Sequence, residues 1–148
     1  MKLTKKDFEA MPKNFARCFK SDCPCAAECL RAQAVTLAKT KQTSYPAINV
    51  NVAKGGKDCQ FYMSPKPIRV AWGMKDIYKI VPLGIERRLR TALKVQFGYY
   101  RYYRMRRGDE PIYPEEQNVI AEWFKEYGIE NLPEFDNYTE ELRWLKPL

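Results

Sequence analysis

Apolar residues in this chain recur every three to four positions in some stretches and at every second position in others, and the two rhythms predict different elements. Thr4 and Asp7 have the spacing of a helix start, and Phe8, Met11 and Phe15 supply an apolar side that Pro12 interrupts. A second helix is predicted from Cys23-Pro24, with Pro24 at its first position and Ala26, Leu30, Ala34 and Leu37 along one side. Thr40 to Tyr45 is a polar connection. In Ala47–Val52, Ile48, Val50 and Val52 alternate with other residues, the pattern of a half-buried strand. Gly55-Gly56 marks a turn leading to the short apolar piece Phe61-Tyr62-Met63.

The run Ile68-Arg69-Val70-Ala71-Trp72 reads as a further strand with Ile68, Val70 and Trp72 inward, ended by Gly73. Ile77, Tyr78 and Ile80 belong to a short helix stopped by Pro82. The clearest long helix carries Ile85, Leu89, Leu93 and Phe97 and stops at Gly98. Tyr99 to Arg107 is read as a strand, with a helical continuation as the alternative. Pro114 opens another helix, with Glu115 and Glu116 in its first turn, Ile120, Trp123, Phe124 and Tyr127 inside, and Gly128 at its close. Phe135, Tyr138, Leu142 and Leu145 have the spacing of a final short helix. The order of elements favours an α+β fold: cysteine-bearing helices, a short antiparallel sheet, then two or three helices.

Length adds that all 148 residues fit one domain, with a cysteine-cluster region over 1–60 and a basic, aromatic region with acidic C-terminal helices over 61–148. A hydrophobic share of 45% argues against disorder. The N-terminus is charged from Lys2 and contains no apolar stretch of signal-peptide or membrane-spanning length. The expectation is therefore a cytoplasmic protein with reduced cysteines and no membrane partner, and five cysteines cannot all pair. The net charge of +8 divides unevenly: residues 1–108 hold 23 Lys/Arg against 7 Asp/Glu, and residues 109–148 hold 3 against 11. Such a division suits an anionic partner, nucleic acid or acidic protein, or pairing between the two parts.

Cysteine chemistry changes the picture most. Cys18, Cys23, Cys25 and Cys29 form a C-x4-C-x-C-x3-C cluster, and Cys59 follows after a glycine turn. Four thiolates complete a tetrahedral shell for zinc, and the same ligands serve an iron–sulfur cluster. On the predicted helix Cys23 would sit at the cap, while Cys25 and Cys29 would share a face. The favoured ligand set is Cys18, Cys23, Cys29 and Cys59, which would cross-link the domain, and the local alternative replaces Cys59 with Cys25. No C-x2-C pair is present, and buried apolar thiols are the plain competing explanation.

A second constellation is basic and aromatic. Arg87, Arg90 and Lys94 share one helical face, and Arg101, Arg104, Arg106 and Arg107 are interleaved with tyrosines that include Tyr100 and Tyr102. Guanidinium groups pair with phosphate and tyrosines stack on unpaired bases, so these nine residues are candidates for nucleic-acid binding. The plain alternative places the tyrosines in the core and pairs the arginines with Glu115, Glu116, Glu140 or Glu141.

Catalytic handholds are few. There is no histidine for a Ser-His or Cys-His pair, and Gly55-Gly56-Lys57 lacks the spacing of a phosphate-binding loop. Asp109-Glu110 and Glu115-Glu116 are the nearest thing to an acid–base pair, and the reading points away from an enzyme.

Phe15-Ala16-Arg17-Cys18, Cys23-Pro24, Cys29-Leu30-Arg31, Ile68 to Gly73, Tyr102-Tyr103-Arg104, Pro114 to Gln117 and Pro133 to Tyr138 together resemble a family of small uncharacterised Bacteroidetes proteins, a domain of unknown function. That resemblance implies recurrence of Cys18, Cys23, Cys29 and Cys59, with Cys25 an addition, and a cytoplasmic location. It implies no activity. The leading expectation is a zinc-stabilised nucleic-acid-binding module, with a protein-interaction module or an iron–sulfur protein as alternatives.

Overall fold

The structure, a computed structural model describing residues 3–36 and 43–144, separates into two units, Met1–Pro67 with Leu142–Leu148, and Ile68–Glu141. In the first unit α1 spans Lys5–Glu9. Its start is the expected capping box: the Asp7 amide donates to Thr4 Oγ1 at 3.4 Å, and the Thr4 amide donates to Asp7 Oδ2 at 2.7 Å. Met11, Phe15, Leu30, Ala34, Met63 and Trp144 form this unit's buried cluster. Phe15 and Trp144 meet edge to face, with ring centroids 5.1 Å apart.

Two sequence expectations fail in this unit. The second helix is not continuous: a 3-10 turn covers Ala26–Glu28, Cys29 is extended, and α2 covers only Leu30–Gln33 before another 3-10 turn at Ala34–Thr36. Pro24 lies in a turn before these elements. The break has a cause, because the Leu30 amide donates to Met63 O at 2.8 Å and so cannot serve a helix running through Cys29. Cys23 therefore caps no helix, and Cys25 and Cys29 are not one helical turn apart.

Ala47–Val52 is likewise no strand. A single parallel bridge joins Ala47 to Arg17, after which the Asn51 amide donates to Asn49 Oδ1 at 3.0 Å and the Val52 amide to Asn49 O at 3.2 Å. Asparagine offers the backbone a local turn in place of a ladder, and that competition decides the segment. Leu37, Thr40 to Gln42 and Leu145, which the sequence placed in a helix, a connection and a helix, lie outside the described residues.

The second unit is built around a three-stranded antiparallel sheet in the order β2-β1-β3, with β1 at Ile68–Trp72, β2 at Pro111–Ile112 and β3 at Asn137–Glu141. Ile68 pairs with Glu141 and Trp72 with Asn137, while Ala71 lies opposite both Tyr138 and Ile112. The Trp72 indole donates to Thr139 Oγ1 at 2.7 Å. A 3-10 turn at Ile77–Ile80 leads to α3 (Leu83–Phe97), whose Leu89 and Leu93 are fully buried as the four-residue spacing predicts.

Tyr99–Arg107 is the helix α4, the alternative reading rather than the strand. Gly98, at φ +81°, breaks the path between α3 and α4, and Tyr102 and Met105 then share the buried side at a spacing of three. Helix α5 spans Pro114–Glu126 with Ile120 and Phe124 buried.

The expected final helix is replaced by β3. Its approach is fixed by Asp136, whose amide donates to Gly73 O at 3.1 Å and whose carboxylate accepts from the Lys75 amide at 3.1 Å. That turn lays the following residues alongside β1. The fold is thus α+β with a short antiparallel sheet. Among the described residues no helix is long and apolar enough to cross a membrane.

Candidate metal centre

Cys18, Cys23, Cys29 and Cys59 line one cavity of about 20 Å³ in the first unit. A space of that size takes a single water or ion. Cys25 does not line it, and all five cysteines are free thiols. The four lining cysteines are the set the sequence favoured, but they meet by a different route from the helical one predicted.

Three chain segments bring them together. Cys18 is tied to the Cys29 segment by its amide, which donates to Arg31 O at 3.0 Å. Cys23 closes a turn on Lys20 O, and Cys29 occupies the extended break between two helical turns. Cys59 follows Gly55 and Gly56, at φ +78° and +75°, where a side chain is strained. A Cβ placed on Gly55 would lie 3.8 Å from Cys23 Sγ, so the glycine loop closes directly over that thiol.

The electrostatics favour the thiolate at one position. Burial pushes the Cys59 thiol up, but the surrounding backbone amides of Phe61, Gly55, Lys54 and Tyr62 together hold it below the usual thiol value. Arg31 faces Cys29 and Cys18: burial lowers its pKa, and those two sulfurs oppose the change. Its guanidinium is fixed by Ala16 O at 2.7 Å and Phe61 O at 3.1 Å, and it covers the Phe15 ring at 4.9 Å. Lys20 lines the cavity and pairs with Asp22 at 3.2 Å. As they stand, no three His, Cys, Asp or Glu side chains among the described residues are arranged to hold a metal ion.

Sequence reading assigned no role to Arg31 or Lys20. Arg31 had one visible signal, its place two residues after a cysteine, but nothing in its spacing reveals that its side chain reaches Ala16 and Phe61.

The basic and aromatic candidates are not gathered into one surface. Arg101 pairs with Glu110 at 2.6 Å and with Glu116, Arg104 pairs with Glu110 at 2.8 Å, and Arg107 pairs with Asp109 at 2.8 Å. Glu116 was a foreseen partner, whereas Glu110 stood only as half of an acid–base pair. Arg90 pairs with Glu86 and lies over the Tyr78 ring at 4.6 Å. Tyr102 is fully buried, its hydroxyl 2.8 Å from that of Tyr78. Arg106 is half-buried. Arg87 and Tyr100 are exposed, Tyr100 at 85%, and Lys94 lies 5.1 Å from the Tyr103 ring and 5.8 Å from that of Tyr99. Among the basic and aromatic residues of α3 and α4, Arg87, Arg88, Tyr99 and Tyr100 are exposed, as are the ion-paired Arg104 and Arg107.

The second unit also has a groove of about 790 Å³, with Asp76, Glu130 and Glu134 on it beside the exposed Ile80 and Leu132. No curated protein and no solved structure matches the chain. A family model does, over residues 1–144, and the chain that carries this thiol-lined cavity therefore belongs to a family of unknown function, DUF6078.

Proposed function

We propose that the first unit is a thiolate metal site that takes zinc, with Cys18, Cys23, Cys29 and Cys59 as ligands and a structural rather than catalytic role. One observation carries the reading: four of the five cysteines, drawn from three chain segments, line one ion-sized cavity. Four sulfur ligands close a tetrahedral shell and leave no open position for substrate. The amides around Cys59 supply donors of the kind a thiolate ligand needs. Metal capture draws the thiols inward from their present lining positions, and the paired φ-positive glycines before Cys59 are where the chain can yield.

The test is elemental analysis with an absorption spectrum on untagged protein purified without oxygen. About one zinc per chain without a visible band is expected. Iron and sulfide with a broad visible band would replace zinc by a cluster. Protein that holds no metal and takes up none when titrated with zinc would refute the reading and return the cysteines to plain packing.

A nucleic-acid partner is the second reading, carried by the exposed Tyr99 and Tyr100, with Lys94 beside the Tyr99 ring and the exposed Arg87 and Arg88 further back along the helix that carries Lys94. Stacking on an exposed aromatic contributes about 1–3 kcal/mol per base, so Tyr100→Ala should weaken binding to a fluorescent single-stranded oligonucleotide by about tenfold. Affinity should also fall steeply with salt. Binding unchanged by the substitution would remove this reading, and an oligonucleotide that does not bind would leave the protein-interaction alternative, for which the acidic groove is the natural surface.

A further inference from the structure

Granted the thiolate site proposed above, we infer that Arg31 is the positioning residue that holds its ligands in register, by clamping the three cysteine-bearing segments to one another. Its side chain reaches outward in two directions. Nη1 donates to Ala16 O at 2.7 Å, two residues before Cys18, and Nε donates to Phe61 O at 3.1 Å, two residues after Cys59. Its own carbonyl accepts from the Cys18 amide at 3.0 Å, and Arg31 follows Cys29 by two positions. One residue thus ties the Cys18, Cys29 and Cys59 segments together through three hydrogen bonds.

The geometry requires an arginine. Two carbonyls on different segments are met by two separate nitrogens of the planar fork, fixed relative to each other, whereas an ammonium carries its three donors on one nitrogen that would have to reach both carbonyls from a single point. The guanidinium also lies over Phe15, in the buried cluster with Leu30 and Trp144, so the clamp joins the thiol cavity to the core of its unit. Its charge has a second use. A divalent ion bound by four thiolates keeps a net negative charge, and Arg31 is the cation beside Cys18 and Cys29. Lys20, the other cation at the cavity, makes an ion pair with the exposed Asp22 and bridges no cysteine segments.

The experiment follows zinc transfer from the full-length protein to the chelator 4-(2-pyridylazo)resorcinol, with the cobalt absorption spectrum as a second readout of ligand geometry. The variants are R31M, R31K and K20M. Loss of a group that orients metal ligands typically costs about 10- to 100-fold in affinity, so R31M and R31K should both release zinc faster by about that factor and shift the cobalt bands. K20M, which removes a cavity charge but no bond between cysteine segments, should speed release far less than R31M and leave the cobalt bands in place. A role confined to general stability would lower the melting temperature while leaving the cobalt bands in place, and that result overturns the clamp. R31K releasing zinc at the wild-type rate also overturns it, and this arm decides the matter if R31M does not fold. K20M matching R31M would show that charge alone matters, against the clamp. Wild-type protein that retains no zinc brings down the metal reading itself, whereas wild-type retention with unchanged variants brings down only the role of Arg31.

Discussion

The hydroxyls of Tyr78 and Tyr102, 2.8 Å apart in the core of the second unit, should show strong energetic coupling. Tyr102 is 0% exposed and Tyr78 5%, so neither hydroxyl has water to fall back on. Tyr102→Phe removes one partner and leaves the Tyr78 hydroxyl buried without its mate. The loss of the bond with the stranded group amounts to about 1–3 kcal/mol, and Tyr78→Phe should cost a similar amount. The double variant removes both polar groups at nearly constant shape, so its cost should fall well below the sum of the singles. Urea denaturation followed by circular dichroism gives the four stabilities, with unchanged m-values as the check that the unfolding reaction is the same. Simple additivity, or single variants within about 0.5 kcal/mol of wild type, would refute the reasoning. Alkaline pH offers an independent sign test. Burial, reinforced by the Tyr102 hydrogen bond, pushes the Tyr78 hydroxyl well above its ordinary value of 10.0. A raised value in the folded state means that this contribution is complete below pH 10 and declines as pH rises beyond it. The double phenylalanine variant should lose less stability than wild type in that range.

Gly73→Ala should destabilise the second unit by more than about 1 kcal/mol, because a Cβ at φ +76° is strained and would also collide with the Asp136 carboxylate; a melting temperature equal to wild type would contradict this. Burial pushes the Glu110 carboxyl up, but its bonds to Arg101 and Arg104 prevail and hold it below its ordinary value of 4.5. Its contribution is therefore present above pH 4.5 and lost as pH falls further, so Glu110→Gln should flatten the acid limb of a stability–pH profile. Leu30→Ala, fully buried in the first unit, should cost about 2–5 kcal/mol, and Leu83→Ala, 88% exposed at the start of α3, should cost little, as thermal melts of the two variants would show.

Legibility followed the range of the interactions that decide each element. Helices α1, α3 and α5 were readable because caps, prolines and apolar spacing act within a few residues. Strand β1 was readable from its composition, but β3 was not. The spacing of Phe135, Tyr138 and Leu142 imitates a helix, and what makes the segment extended is the contact of Asp136 with the Gly73 turn, more than sixty residues earlier in the chain. The α4 run offered arginine and tyrosine in a pattern that suits either period, and only the burial of Tyr102 and Met105 settles it. At the cavity the sequence could name the four cysteines but not their arrangement, since a hydrogen bond from Leu30 to Met63 breaks the helix that had been used to place them. Arg31 stayed invisible for the same reason: its two carbonyl partners are remote in sequence.

The packing of Trp144 on Phe15 has a consequence for how the chain is made. Synthesis proceeds from the N-terminus at about 5–20 residues per second, and Phe15 emerges long before the tryptophan that completes its cluster. Strand β1 likewise waits for β3, its longer partner. Neither unit can close its hydrophobic surface until its last partner is made, β3 for the second unit and Trp144 for the first, and each is exposed to chaperones and proteases until then. A ribosome that stops short of β3 would release a polypeptide with an open apolar strand and an unfinished thiol-bearing unit, a natural substrate for degradation.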